Sequence, residues 1–227
     1  MNTRRKLLAG IGTAALGGLL WGRTSLQAHE AFESAAIDMA DASVDGAQNS
    51  YFPNVWLDSH EGKRVRFYDD LVRGKIAVIN FMFVQCGDIC PTMTANLIKV
   101  QKLLGERMGR DIFMYSISLQ PLMDTPEVLK AYAEMHRVQP GWQFLTGTEA
   151  DIKRLRYGLG FYDPEPEVDR NLGTHTGMLR IGNDRSERWT MAPALAEPER
   201  ILATINHVDS TMVHTAYRPV AAASGLG

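Results

Sequence analysis

Apolar and polar positions alternate along the chain in two rhythms. Ile76, Val78, Ile79, Phe81, Phe83 and Val84 form a run of β-branched and aromatic residues, the composition of a strand buried on both faces. Beyond it Met93, Leu97, Val100 and Leu104 recur at helical spacing, and Pro91 suits the first position of that helix. Ile112–Leu119 reads as a second buried strand, so the two strands and the helix between them predict a βαβ unit with a parallel pair. Asp124-Thr125-Pro126-Glu127 starts a helix with Thr or Asp as cap, and Val128, Leu129, Tyr132 and Met135 supply its apolar face. Trp142–Leu145 is a short third strand. Thr148–Asp151 opens a helix with Ile152, Leu155 and Leu159 inward and Gly160 as its stop. Phe161–Leu172, heavy in Pro, Asp and Glu, reads as a loop. Met178–Ile181 and Arg188–Met191 read as strands around a Gly182-Asn183-Asp184 turn, and a last helix runs from about Pro198 to Met212. Ahead of all these, Val55–Leu57 and Val65–Phe67 flank a turn-rich loop, Asp58–Gly62, as in a hairpin.

The order of elements predicts an α/β thioredoxin-like fold: a central mixed sheet flanked by helices, with an N-terminal β-hairpin extension. This domain is expected over residues 51–215. Residues 1–28 read as an export signal, because Arg4-Arg5-Lys6 precedes a short Gly- and Ala-rich apolar stretch, Leu7–Leu20. Paired arginines before two leucines resemble a twin-arginine signal; an ordinary secretory signal or an uncleaved anchor would look similar. Each of these sends the chain out of a bacterial cytoplasm, to the periplasm or the outer face of the inner membrane. Cleavage near Ala28 would expose His29 as a new N-terminus. Residues 29–50, rich in Ala, Ser and Asp, read as a linker, and residues 216–227 as a disordered tail. With 24 basic and 26 acidic residues, the balance offers no argument for nucleic acid or an anionic membrane surface.

Chemistry enters at Cys86-Gly87-Asp88-Ile89-Cys90-Pro91, which holds the only two cysteines of the chain. They sit where the central strand gives way to a helix, and a helix N-terminus lowers a nearby thiol's pKa. A plain stapling disulfide would close too short a loop to stabilise much. A buried inert pair is also conceivable, but the polar Gly-Asp insert argues for an accessible loop. The C-x3-C spacing suits two thiolates sharing a metal ion as well as a reversible disulfide. With no second pair, a closed four-sulfur zinc site is excluded within one chain, and a metal needs a further ligand. Of six histidines, His60, His136, His207 and His214 read as solvated turn, surface or helix-end residues, and His29 lies beside the export signal. Composition alone would leave His175 a solvated loop residue. Its place in Gly173-Thr174-His175-Thr176-Gly177, at a strand entrance that a thioredoxin-like fold brings near the cysteine loop, favours it as third ligand.

The chain resembles the Sco/SenC (PrrC) family of copper-binding, thioredoxin-like proteins. The likeness is carried by Cys86–Pro91 with Asp88, by Asp124-Thr125-Pro126-Glu127-Val128-Leu129, by Phe144-Leu145-Thr146-Gly147 and by His175 before the late hairpin. It spans about Phe52 to Met212. Thr174 stands where the family often has Asp, and Gln120-Pro121-Leu122-Met123 where many members have an acidic Asp-Pro segment. The resemblance implies copper, Cu(I) or Cu(II), held by Cys86, Cys90 and His175 and delivered to the copper site of a cytochrome c oxidase or related copper enzyme during assembly. Its partners would be a copper-acceptor protein such as an oxidase subunit, and a copper donor or thiol reductant upstream. Three ligands leave the ion open to stepwise exchange, and Met82, Met93 and Met123 read as core filler rather than ligands. The alternative is an enzyme, a thiol–disulfide oxidoreductase that reduces acceptor cysteines, with Cys86 attacking and Cys90 resolving. A peroxidase is disfavoured for want of a recognisable arginine and hydroxyl around the cysteine.

Overall fold

The computed structural model describes residues 51–87, 89–172 and 177–211. The export signal, the linker, His29, Asp88, His175, His214 and the tail lie outside the described residues. The described strands are β1 (Trp56–Ser59), β2 (Arg64–Arg66), β3 (Ile76–Met82), β4 (Ile112–Ser118), β5 (Trp142–Thr146), β6 (Met178–Asn183) and β7 (Arg188–Pro193). The helices are α1 (Ile89–Leu104), α2 (Pro126–Met135), α3 (Glu149–Gly158), α4 (Pro166–Asp169) and α5 (Pro198–Val208). The strands form one sheet in the order β2-β1-β5-β4-β3-β6-β7. β3, β4 and β5 run parallel, whereas β6 pairs antiparallel with β3 and with β7. The N-terminal hairpin joins the far side through antiparallel β1–β5 pairing. This is the mixed α/β sheet expected from the sequence.

All seven residues of β3 are buried, and strand alternation divides them between two core halves. Ile76, Val78 and Met82 pack with Met93 and Leu97 of α1, Leu129 of α2, and Ile201 and Ile205 of α5. Ala77, Ile79 and Phe81 pack on the other side with Phe67, Leu71, Ile152 and Leu155. Asn80, also within β3, is accommodated by a polar chain. Trp142 Nε1 donates to Ser116 Oγ at 2.9 Å, and that hydroxyl donates to Asn80 Oδ1 at 2.8 Å, so the buried groups keep partners.

Several boundaries depart from the sequence reading. Phe67 does not extend β2; Phe67–Val72 forms one wide helical turn that buries Phe67, Leu71 and Val72. Gly182 belongs to β6 rather than to the turn, and the reversal falls at Asp184–Glu187, where Asn183 accepts from the Arg185 amide. The glycine is needed in the strand because a Cβ there would lie 2.2 Å from the Trp189 ring. The segment expected to be a loop contains α4. Arg156 of α3 grips Asp169 with both guanidinium nitrogens at 2.7 Å, and Tyr157 Oη and the Asp163 amide donate to the same carboxylate. His60 is not a solvated turn residue. It is half-buried, its Nδ1 accepts the Phe144 amide at 3.1 Å, and burial lowers its pKa. His136 is the helix-end residue expected, at the C-cap of α2; it is partly buried and tilted on the Tyr132 ring, and burial lowers its pKa. α5 ends at Val208, short of the expected Met212. No helix among the described residues is long and apolar enough to cross a membrane.

Candidate metal centre

The C-terminal ends of β3 and β4 lie side by side, tied by the Leu119 amide donating to Met82 O at 2.8 Å. The chain leaving β3 folds into a tight turn, with the Cys86 amide donating to Phe83 O at 3.2 Å, and enters α1. That helix starts two residues earlier than Pro91 suggests, at Ile89, which places Cys90 within its first turn. Proline is tolerated as the third helical residue because the first amides of a helix have no intrahelical acceptor.

Neither cysteine is in a disulfide, and both are buried, Cys86 at 8% and Cys90 at 1% exposure. The accessible loop expected from the Gly-Asp insert is therefore only half realised. Gln85 and Gly87 are exposed while the sulfurs turn inward. The Cys90 amide, one of the unpaired donors at the start of α1, points at Cys86 Sγ from 3.5 Å. The helix terminus thus presents its amide to Cys86 rather than to Cys90. Cys90 behaves oppositely to the expectation of a lowered pKa. Burial pushes its thiol up to about 12, reinforced by its hydrogen bond to Cys86 and by the negative charges of Cys86 and Asp124, against a backbone hydrogen bond from Phe83. Desolvation outweighs the helix terminus because the Cys90 side chain is packed in the core beside Met93 and Leu97.

Two side-chain contacts form the floor of the site. Thr94, one turn beyond Cys90, shares a 2.9 Å hydrogen bond with Tyr132 of α2, and burial raises the phenol's pKa. Asp124, just before the Thr125 cap of α2, is 1% exposed. Its Oδ2 accepts from Ser118 Oγ at 2.6 Å and from the Val84 amide at 3.2 Å. The sequence left Asp124 and Thr125 as alternative caps. Thr125 is the one that accepts the Val128 amide, which releases Asp124 for the cysteine loop. Met82 and Met93 are core residues as expected. Met123 is not; at 54% exposure, beside Leu122 at 76%, it stands on the surface of the turn after β4.

Of the three expected ligands, the structure brings Cys86 and Cys90 together. His175 lies outside the described residues, and among the described residues no group of three or more His, Cys, Asp or Glu side chains is assembled for a metal. The strand that follows His175 nevertheless runs to this end of the sheet. Arg180 of β6 pairs with Ile79 of β3, so the start of β6 lies toward the end of β3. Gly177, with φ of +88°, approaches α1 so closely that a Cβ would sit 2.9 Å from Ile89 Cδ1.

The SCO1/SenC family model matches residues 49–209. An SCO2-like protein of Rickettsia prowazekii (strain Madrid E) is 38% identical over 87 residues, or 38% of this chain. The match spans only 41% of that relative's length. The structure of yeast Sco1 with copper bound superposes with a TM-score of 0.55 at 22% identity, covering 74% of this chain and 98% of that one. BsSco, described as a member of the Sco family of cytochrome c oxidase assembly proteins and as containing a disulfide switch, superposes with a TM-score of 0.56 at 21% identity, over 70% of this chain and 92% of that one. At such identities the superpositions establish a shared fold, and with the family match they carry one conclusion: this chain belongs to the SCO1/SenC family.

Proposed function

We propose that this protein is an exported copper chaperone that holds copper through Cys86, Cys90 and His175 and passes it to the copper site of a cytochrome c oxidase or related copper enzyme during assembly. The observation that carries the reading is the pair of cysteines brought together beyond the end of β3, not joined in a disulfide, with the Cys90 amide on Cys86 Sγ. Two sulfurs so arranged are soft donors suited to Cu(I), and an imidazole would complete a three-ligand set able also to accept Cu(II). Support for His175 comes from its neighbour in sequence. Gly177 lies close to Ile89, the residue before Cys90, since a Cβ on it would stand 2.9 Å from Ile89 Cδ1, and two peptide links span at most about 7.6 Å between Cα atoms. Copper-bound yeast Sco1 and the oxidase-assembly description of BsSco support the cargo and the destination. The paired arginines and short apolar stretch at residues 4–20 support a site of action in the periplasm or on the outer face of the inner membrane.

Because binding requires both sulfurs as thiolates, loading expels the Cys90 proton, so affinity rises with pH. The test is a copper titration of the reduced protein and of His175→Ala, followed by affinity and visible spectrum. Sulfur-to-copper charge-transfer bands in the parent, with affinity lost in the variant, are expected. Unchanged affinity in His175→Ala refutes the three-ligand site.

A second reading, thiol–disulfide oxidoreductase, draws on the asymmetry of the pair. Cys86, with a helix amide on its sulfur, would attack an acceptor disulfide, and Cys90, held as a thiol, would lose its proton and resolve the mixed disulfide. The acceptor leaves as a dithiol and Cys86–Cys90 as a disulfide, so two electrons and two protons are transferred. Rapid reduction of a model disulfide by a protein without copper affinity selects this reading.

A further inference from the structure

Asp124 is a buried carboxylate with unequal oxygens. Oδ2 takes two donors, whereas Oδ1 is buried and has no hydrogen-bond partner among the described residues. A buried charge left half-satisfied is costly, and capping does not account for it, since Thr125 performs that task. The partners of Oδ2 show what it does. Val84 lies two residues before Cys86, in the turn closed by the Cys86 amide on Phe83 O. Ser118 ends β4, and its hydroxyl also accepts the Gln120 amide at 2.9 Å. One oxygen therefore ties the cysteine turn, the end of β4 and the start of α2 to a common point.

We propose that Asp124 is the positioning residue of the cysteine pair, its Oδ2 latching the Val84 amide so that Cys86 is held opposite Cys90. The proposal concerns the same site as the copper reading but depends on the thiols being juxtaposed, not on what they bind. Removing the latch frees the turn and lowers the effective concentration of one thiol at the other. In the reaction Cys86–SH + Cys90–SH + GSSG → Cys86–S–S–Cys90 + 2 GSH, that loss favours the dithiol. Partners that orient metal ligands typically contribute 10–100-fold in affinity, so copper retention falls with it.

The test equilibrates the metal-free full chain in glutathione mixtures and reads the thiol content by alkylation and mass spectrometry. Asp124→Ala is expected to shift the equilibrium toward the dithiol by about tenfold, or about 30 mV. Asp124→Asn keeps an acceptor oxygen for Val84 and Ser118 and is expected to restore most of that shift. A folded Asp124→Ala whose constant stays within twofold of the parent overturns the proposal, and so does an Asp124→Asn as impaired as the alanine variant. If Asp124→Ala does not unfold cooperatively, Ser118→Ala is the decisive variant: a shift of several-fold supports the latch and an unchanged constant overturns it. A parent that binds no copper while Asp124→Ala still shifts the thiol equilibrium refutes the copper reading alone.

Discussion

Two aspartates, the partly buried Asp169 and the fully buried Asp124, receive opposite treatment. Asp169 is saturated: both oxygens face the buried guanidinium of Arg156, with Tyr157 Oη and the Asp163 amide completing the shell. Asp124 has two donors on one oxygen and no hydrogen-bond partner on the other among the described residues, and its negative charge acts on Cys90. The first pins the segment that leads from α3 toward Gly177. The second underlies the thiols. A fully partnered charge is architecture, because each hydrogen bond its carboxylate gives up with water is replaced by one from the protein. An incompletely partnered one next to reactive groups is retained at a cost in stability, and such cost accumulates where function requires it.

The comparison can be broken first at Arg156. Arg156→Ala leaves the partly buried Asp169 carboxylate without its counterion and is expected to cost about 3 kcal/mol, the low end for breaking a buried pair, measured by urea unfolding. The same pair has an acid limb. Hydrogen bonds from Arg156 hold the Asp169 carboxyl well below the usual carboxylate range. Its stabilisation is therefore complete above the unfolded-state pKa of about 3.9 and is lost as pH falls from there through the folded-state value. Unfolding curves between pH 6 and 2.5 should show that limb in the parent and its loss in Asp169→Asn. Next in size is Gly177→Ala. Positive φ and the 2.9 Å approach to Ile89 both oppose a methyl group, with an expected cost of about 1–3 kcal/mol. Copper affinity should fall with it if the strand entrance carries a ligand. The smallest effect is expected at Asp124→Asn, which removes an incompletely satisfied charge while keeping an acceptor. Stability should change by less than about 1 kcal/mol in a thermal melt, and a loss as large as that of Arg156→Ala would erase the distinction between the two aspartates.

The elements legible in the sequence were those with a local signature. β3 announced itself by an unbroken apolar run, α1 and α5 by their spacing, and α2 by Thr125-Pro126. The cysteine pair was legible because both thiols lie within one turn of chain. Less legible was anything set by a distant partner. α4 has no periodicity of its own and is held by Arg156, thirteen residues before Asp169. The pKa of Cys90 could not be read from the helix terminus, since burial reversed the direction that the terminus alone implies. Asp124 and Thr125 satisfy the same local capping rule, so the sequence leaves both as caps and only the fold assigns the task to Thr125.

By itself the amino-acid order determined the succession of strands and helices, the family, and the chemical kind of the site, because periodicity, capping and thiol spacing act over a few residues. Only the tertiary structure decided that both sulfurs are buried, that Cys86 rather than Cys90 receives the helix amide, and that Asp124 turns toward the cysteine loop. Those outcomes depend on desolvation and on hydrogen-bond donors from separate elements, such as Val84 and Asp124 forty residues apart, which meet only when the sheet is assembled.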